Sequence, residues 1–224
     1  MTRRRLIITS VAAGGLCLLA AALALAEPSS AIDIAGNGIG VPPADFEFWR
    51  AGRGAVGAWS VVRDPSAAGG AAIEQYSTDR SEDRFPLAIY KPVSARDIKV
   101  SLRFKMVRGT MQSAGVAIRL RTPDDYYLVR VSALETRVDL LRIADGKSER
   151  IAGIDADVVM NTWHVLGVVA VADRFDISLD NKPIFTAWDQ AFTGDGHIAL
   201  WTAEDNVTRF DSIAIQPLPW SGGN

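Results

Sequence analysis

The chain has 224 residues, with 24 lysines and arginines against 26 aspartates and glutamates, and 48% of its residues are hydrophobic. This length and apolar content suffice for a globular core, and they exclude a disordered or fibrous chain. The balanced charge excludes a polybasic nucleic-acid-binding protein, because such proteins neutralise phosphates with many basic residues.

The first 26 residues have the pattern of an export signal. Arg3, Arg4 and Arg5 precede an apolar run from Leu6 to Leu25, and Ala24-Leu25-Ala26 is typical of a cleavage site. The segment Thr2 to Ile7 also resembles a twin-arginine signal, so both that route and ordinary secretion stay open. A retained membrane anchor is the alternative, since about 20 apolar residues can span a bilayer. We predict cleavage and a periplasmic or secreted protein.

Removal of this segment makes the chain acidic. The segment contains three arginines and no acidic residue, which leaves 21 basic and 26 acidic residues and a net charge of −5. An acidic surface repels nucleic acid and anionic lipid. The one cysteine, Cys17, belongs to the signal. We therefore expect no nucleic-acid partner, no membrane span after cleavage and no thiol nucleophile.

The remaining sequence predicts one domain between two irregular ends. Residues 27–44 are rich in glycine, proline, serine and alanine and are predicted to be a flexible leader, residues 45–218 form the domain, and residues 219–224 are a tail. In the domain, short apolar runs alternate with turn residues. The clearest run is Ile98 to Val107, in which every second residue is apolar, as in a strand with one buried face.

Other runs have the same strand character. They are 55–63, 71–77, 115–121, 126–132, 137–143, 163–171, 175–179, 183–187, 197–202 and 208–215. Turn signals separate them at Thr122 to Asp125, Asp145-Gly146 and Asp180-Asn181. Residues 153–160 are compatible with a short helix or a loop. About a dozen strands without helical crossovers predict an all-β fold, an antiparallel two-sheet sandwich of the jelly-roll type.

Three consecutive runs carry polar side chains opposite their apolar faces. If the runs pair as hairpins, these side chains gather on one sheet surface. Guanidinium groups and a tyrosine ring suit sugar hydroxyls, sugar rings or a carboxylate. An ordinary solvated face with cross-strand charge pairs is the alternative. The predicted ligand-binding residues are Arg119, Tyr126, Arg130, Glu135, Arg137 and Trp188, the last as a ring that stacks on a sugar.

No motif identifies a catalytic or metal centre. Sandwich glycosidases use two carboxylates at a fixed spacing, and their Glu-x-Asp-x-x-Glu pattern does not occur. Glu135 and Asp139 are the candidates if the protein is an enzyme. We expect no cofactor, although a structural calcium ion could bind among Asp155, Asp157, Asp205 and Asp211. Solvated acids are the alternative explanation of those aspartates.

Several segments resemble exported bacterial proteins of the concanavalin A-like lectin/glucanase superfamily, and in particular the 3-keto-disaccharide hydrolase-like domain. The similar segments are 57–64, Phe85-Pro86, 97–105, 125–130, 133–135, 163–166, 200–205 and 207–211. The resemblance runs from Val41 to Pro217 and implies a β-sandwich. Because members include binders and enzymes, it transfers no catalytic residue. Asp125, Ser132 and Arg137 stand where the family pattern has Asn-type residues.

Three functions follow from these observations. The preferred hypothesis is an exported, non-catalytic lectin-like domain that binds a carbohydrate or related polar ligand on one sheet face. It expects Arg130→Ala to abolish binding with little change in melting temperature. The second hypothesis is a glycoside hydrolase or lyase that acts on 3-keto-disaccharides. The third is an envelope scaffold that contacts proteins through its edges or Trp188.

Overall fold

The computed structural model describes residues 30–219. The predicted signal peptide, with Cys17, and the tail after Pro219 lie outside this range. The described residues form fifteen strands: β1 (Ser30–Ala31), β2 (Phe46–Gly52), β3 (Trp59–Arg63), β4 (Ala71–Gln75), β5 (Arg84–Ala95), β6 (Ile98–Arg108), β7 (Ser113–Thr122), β8 (Asp125–Ser132), β9 (Arg137–Ala144), β10 (Lys147–Asp155), β11 (His164–Val171), β12 (Arg174–Leu179), β13 (Lys182–Trp188), β14 (Gly196–Thr202) and β15 (Val207–Pro217). In this range there is no helix that could cross a membrane.

The strands form two antiparallel sheets. Sheet A has the order β13-β12-β11-β6-β15-β4-β3, and β1 pairs with β15 beside this path. Sheet B has the order β10-β9-β8-β7-β14-β5-β2. The two sheets pack face to face, so the predicted all-β sandwich is confirmed.

Alternating apolar residues fill the space between the sheets. On β6, the side chains from Ile98 to Met106 that the sequence assigned to one face are at most 1% exposed. They meet residues of sheet B such as Val129 and Leu140. Burial of each side chain of this size contributes about 1.5–3 kcal/mol to the free energy of folding through the hydrophobic effect. The pattern of period two therefore determines which face of each strand points into the core.

The predicted tight turns are confirmed. Pro123 and Asp124 join β7 to β8, and Asp145 and Gly146 join β9 to β10. The φ angles of Asp145 and Gly146 are 49° and 71°, and those of Asp180 and Asn181 are 50° and 62°. Two consecutive left-handed residues match the twist of a hairpin, which explains these residue types. Residues 153–160 contain no helix, because 153–155 belong to β10 and the rest is irregular.

Three long strands were absent from the sequence prediction. β5 contains Pro86 and Pro92, which usually argue against a central strand. β2 and β10 are the edge strands of sheet B, and β10 begins with four polar residues. An edge strand has a neighbouring strand along only one of its two edges, so it needs fewer apolar residues than a central strand.

Part of the predicted leader also hydrogen-bonds to sheet A. The Ile32 amide donates to the Ile213 carbonyl at 2.9 Å, and the Val61 amide donates to the Val41 carbonyl at 2.9 Å. These bonds extend the backbone ladder of sheet A into the segment before Phe46. Residues 30–44 are therefore held against the sandwich along part of their length.

Two buried arginines hold the loops at opposite ends of the sandwich. Arg84 is 0% exposed and donates to the carbonyls of Ala55 and Glu204 at 2.7 and 2.6 Å. Arg119 is 1% exposed and donates to the carbonyls of Arg96, Phe192 and Ala172 at 2.9, 2.9 and 2.6 Å. At each end of the sandwich, one guanidinium donates hydrogen bonds to carbonyls from several loops. These carbonyls would otherwise be buried without a hydrogen-bond partner.

Candidate functional site

The outer face of sheet B is apolar, unlike an ordinary solvated sheet face. A second cluster of buried residues lies on it, separate from the core between the sheets. Its members include Leu87, Ala117, Tyr126, Leu128, Leu141, Ala199 and Trp201. The outer face of sheet A carries ion pairs instead, such as Lys105–Asp64 at 2.5 Å. The outer face of sheet B therefore differs from the polar, solvated outer face that is expected of an antiparallel two-layer sandwich.

A depression of about 450 Å³ crosses this face. Tyr126, Leu128 and Trp201 form its floor, and Phe85 and Arg130 stand at its walls. The Phe85 ring stacks on Trp201, with 5.4 Å between centroids and 19° between planes. The exposed rim adds polar groups from Arg53, Asp83, Asp124 and Ser148. Apolar rings with a few polar groups around them are typical of sites for small ligands.

Arg130 holds two carboxylates at one end of the depression. Its Nη1 and Nη2 donate to the two oxygens of Glu135 at 3.1 and 2.7 Å. Nη2 also donates to Asp139 Oδ2 at 2.9 Å. These hydrogen bonds raise the pKa of the Arg130 guanidinium, although its desolvation lowers it. The structure therefore brings together Arg130, Glu135 and Asp139, three of the candidate residues from the sequence.

Asp139 is the buried centre of this group. It is 0% exposed, and it accepts from Arg137 Nε at 2.9 Å and lies 3.5 Å from Arg150 Nε. Gly153 is opposite Asp139 on β10, where a Cβ atom would lie 2.2 Å from Asp139 Oδ1. The glycine leaves the room that the carboxylate occupies. Arg137, one of the predicted ligand-binding residues, does not line the depression, and its Nε donates to Asp139 instead.

Tyr126 lies in the floor with little exposed surface. It is 1% exposed, while its neighbour Tyr127 faces the core between the sheets. Burial raises the pKa of the Tyr126 hydroxyl, so this group is neutral over the physiological range. The alternation predicted for β8 is confirmed, because Tyr126 and Arg130 share the outer face.

The prediction that Arg119 lies on the same surface is wrong. The pairing of β7 with β8 shifts register between Ile118 and Thr122, and Arg119 has a φ of 49°. This bulge turns the side chain inward, where the guanidinium lies 5.2 Å from the Phe175 ring. A bulge adds one residue to a strand and so reverses the facing that simple alternation predicts.

Trp188 does not join the other predicted residues. It is the last residue of β13, the edge strand of sheet A, and it is 61% exposed. The depression lies on sheet B, so Trp188 and Arg130 belong to different surfaces. Its predicted contact with a ligand stays a separate expectation.

Sequence reasoning did not identify Phe85 or Trp201 as site residues. Leu200 and Trp201 are adjacent and both apolar, so alternation does not show which of them faces the core. Phe85 lies in a strand with apolar residues on both faces. A strand that is apolar on both of its faces, and not only on alternate residues, is the sequence signal that could have indicated a second apolar surface on this sheet.

Glu135 and Asp139 do not have the arrangement of a glycosidase pair. Such enzymes hold the scissile bond between two carboxylates. Both carboxylates accept from the same Arg130 nitrogen, so the guanidinium lies between them. In residues 30–219 no three carboxylate, histidine or cysteine side chains are close enough to hold a metal ion. Asp205 and Asp211 instead accept from the amides of Thr110 and Ala68.

Comparisons with known proteins agree with the fold. No family model and no curated protein matches the chain. Among solved structures, the carbohydrate-binding module CBM66 from Bacillus subtilis is similar with a TM-score of 0.61 and 19% identity, over 75% of this chain and 94% of that one. A Bacillus subtilis protein of unknown function with a galectin-like fold gives a TM-score of 0.56 and 10% identity, over 76% and 89% of the two chains.

A third similar structure is domain 4 of AbnA, an extracellular arabinanase from Geobacillus stearothermophilus, in complex with arabinotriose. Its TM-score is 0.51 and its identity 11%, over 76% of this chain and 82% of that one. Identities this low establish the fold alone, so the 3-keto-disaccharide hydrolase-like branch stays a prediction. Together with the two antiparallel sheets, these likenesses show that the chain shares the two-sheet sandwich fold of these proteins, which is the fold that the resemblance to the concanavalin A-like lectin/glucanase superfamily implied.

Proposed function

We infer that the protein binds a carbohydrate in the depression on the outer face of sheet B and does not catalyse a reaction. The observation that carries this inference is that the stacked Phe85–Trp201 pair and the Arg130 guanidinium line one depression. A sugar ring has apolar C–H faces that pack on aromatic rings. Its hydroxyls donate and accept, and Arg130 together with the rim carboxylates of Asp83 and Asp124 offers both kinds of partner.

Phe85 is the aromatic group best placed to contact a ligand. It is partly exposed, whereas Trp201 beneath it is 3% exposed. Trp201 fixes the orientation of the Phe85 ring through the stacking contact, with 5.4 Å between centroids. A ring that is already fixed loses little conformational entropy when a ligand packs on it.

A binding role is favoured over hydrolysis by the position of Arg130. Its guanidinium fills the space between the two candidate carboxylates, where a glycosidic bond would have to lie. Asp139 is also fully buried beneath it. Neither carboxylate can therefore reach a glycosidic oxygen without the loss of its bonds to Arg130.

Proteins of the same fold support a carbohydrate ligand. One similar structure is named as a carbohydrate-binding module, and another contains arabinotriose. The acidic remainder of the chain and the export pattern of residues 1–26 support a periplasmic or secreted location. The ligand would then be a glycan outside the cytoplasm, with no nucleic acid as partner.

The test is a glycan array with the domain that begins at residue 27, followed by calorimetry with the glycan that binds most tightly. Phe85→Ala should weaken that glycan at least about tenfold, which corresponds to about 1.4 kcal/mol. Tyr76→Ala is the matched control, because Tyr76 is an aromatic residue that is 48% exposed and does not line the depression.

Equal affinity of the Phe85→Ala and Tyr76→Ala variants would place the ligand elsewhere. Release of reducing sugar from disaccharides, dependent on Glu135, would favour the hydrolase. An array without any bound glycan, together with a specific protein partner, would favour the scaffold.

A further inference from the structure

Arg130 reaches the depression with its hydrogen-bonding fork already occupied. Glu135 accepts from Nη1 and Nη2 with one oxygen each, at 3.1 and 2.7 Å. This two-bond geometry is the one that an arginine uses to bind a free carboxylate. Glu135 itself does not line the depression. Its carboxylate thus takes the place at Arg130 that the carboxylate of an acidic sugar would need.

The turn between β8 and β9 holds Glu135 in this place. The Glu135 amide donates to Ser132 Oγ at 3.1 Å. On either side, the Ala133 amide donates to the Gln112 carbonyl and the Thr136 carbonyl accepts from the Ala156 amide, both at 2.9 Å. The backbone on both sides of Glu135 is therefore fastened to neighbouring segments.

Arg130 is held independently of Glu135. Asp139 accepts from Nη2 at 2.9 Å, and Asp139 is fully buried and also paired with Arg137. The guanidinium should therefore stay at the wall of the depression when the charge of Glu135 is removed. The Glu135 side chain is 44% exposed, so its substitution should leave the fold intact.

Resting on the proposed function, we propose that Glu135 is a specificity-determining residue that admits neutral sugars and excludes acidic ones. A neutral hydroxyl can accept from Arg130 at the wall of the depression, and the nearby charge of Glu135 does not repel it. A ligand carboxylate at the same position faces the carboxylates of Glu135 and Asp139, and such like-charge contacts are strongly unfavourable. Charge alone would thus separate neutral from acidic sugars, without any change in the shape of the depression.

The experiment compares the full sandwich domain with its Glu135→Gln variant. The probes are disaccharides of glucose, galactose and mannose, each paired with the corresponding disaccharide that carries a uronic acid. Wild type should bind a neutral probe and prefer it over its acidic partner. Glu135→Gln should bind that acidic partner at least about tenfold more tightly than wild type does, with the neutral probe changed less than about threefold.

Glu149→Gln is the matched control. Glu149 pairs with Arg142 on the surface, and neither residue lines the depression. The control removes the same charge, so it should leave both affinities unchanged. An unchanged affinity of Glu135→Gln for acidic probes, or a wild type that prefers them, would overturn the role of Glu135. If neither protein bound a neutral probe but Glu135→Gln bound acidic probes more tightly than wild type, only the proposed neutral ligand class would be contradicted.

Discussion

Arg130 on β8 and Asp139 on β9 are directly opposite each other, and Nη2 of the arginine lies 2.9 Å from Oδ2 of a carboxylate that has no exposed surface. The pair connects the wall of the depression to the interior of sheet B. Arg130 is therefore both a candidate ligand contact and a structural partner. The expectation that its removal leaves the melting temperature nearly unchanged does not fit this position.

We predict that Arg130→Ala lowers the free energy of unfolding by about 2–3 kcal/mol, because Asp139 loses one of its buried donors. Urea denaturation measures this change. Arg174→Ala is the control, since its pair with Asp176 is exposed and should contribute less than about 1 kcal/mol. Equal effects of the two variants would mean that Asp139 does not depend on Arg130.

Arg119→Met should destabilise the protein by about 3 kcal/mol, since three carbonyls, one buried and two partly buried, lose their donor. Thermal and urea unfolding measure this effect. Arg121→Met, at an exposed neighbour, should stay within about 0.5 kcal/mol of wild type. At a temperature where the Arg119→Met variant is folded, its affinity for the glycan should be unchanged. A selective loss of affinity would restore Arg119 as a ligand contact.

Stability should fall in alkaline solution because of Tyr127. Burial and a 2.5 Å hydrogen bond to Asp189 raise the pKa of its hydroxyl to about 12, from 10.0. The unfolded chain therefore releases this proton first, and the free energy of unfolding decreases as the pH rises from 10 to 12. Urea denaturation at several pH values should show a smaller decrease in Tyr127→Phe. Part of it should remain, since the pKa of Tyr126 is also raised. An identical pH dependence in wild type and variant would contradict this assignment.

Gly153→Ala should be destabilising by more than about 1 kcal/mol, because the new methyl group would lie 2.2 Å from Asp139 Oδ1 and 2.8 Å from the Val138 carbonyl. Gly69→Ala has nothing within 4 Å and serves as the control. Its stability should equal or slightly exceed that of wild type. A neutral Gly153→Ala would show that β9 and β10 can separate at this position.

Removal of metal ions should leave glycan binding unchanged. The arginine at the wall of the depression, Arg130, is paired with two carboxylates, and in residues 30–219 no cluster of three possible metal ligands exists. Calorimetry with and without EDTA tests this expectation. A loss of binding with EDTA that calcium restores would instead support the alternative of a structural calcium ion among the aspartates.

The strand pattern made the fold predictable because strands of sheet A, such as β6, β11 and β12, alternate buried residues with more exposed ones. The alternation on β6 and the left-handed turn residues at Asp145-Gly146 and Asp180-Asn181 were sufficient for an antiparallel sandwich. The prediction failed where the residue types of a segment argue against a strand but its neighbours in the sheet hold it in one. The prolines of β5 and the polar start of β10 hide strands that the neighbouring strands stabilise.

The site was only partly predictable for a related reason. Arg130, Glu135 and Asp139 were found because they are polar residues on one face of a regular hairpin. Arg119 was misplaced because a bulge depends on both neighbours of β7, which a single strand sequence does not show. Phe85 and Trp201 were missed since an apolar outer face has the same residue types as the core.

Arg84 and Arg119 donate mainly to main-chain oxygens at the two ends of the sandwich, and Arg84 also donates to Ser77 Oγ. Every amino acid supplies such an oxygen, so the segments around these two anchors can change their side chains without loss of the anchoring bonds. Randomised libraries at Arg53 and Asp124, on the rim of the depression, should consequently yield many folded proteins with new ligand preferences.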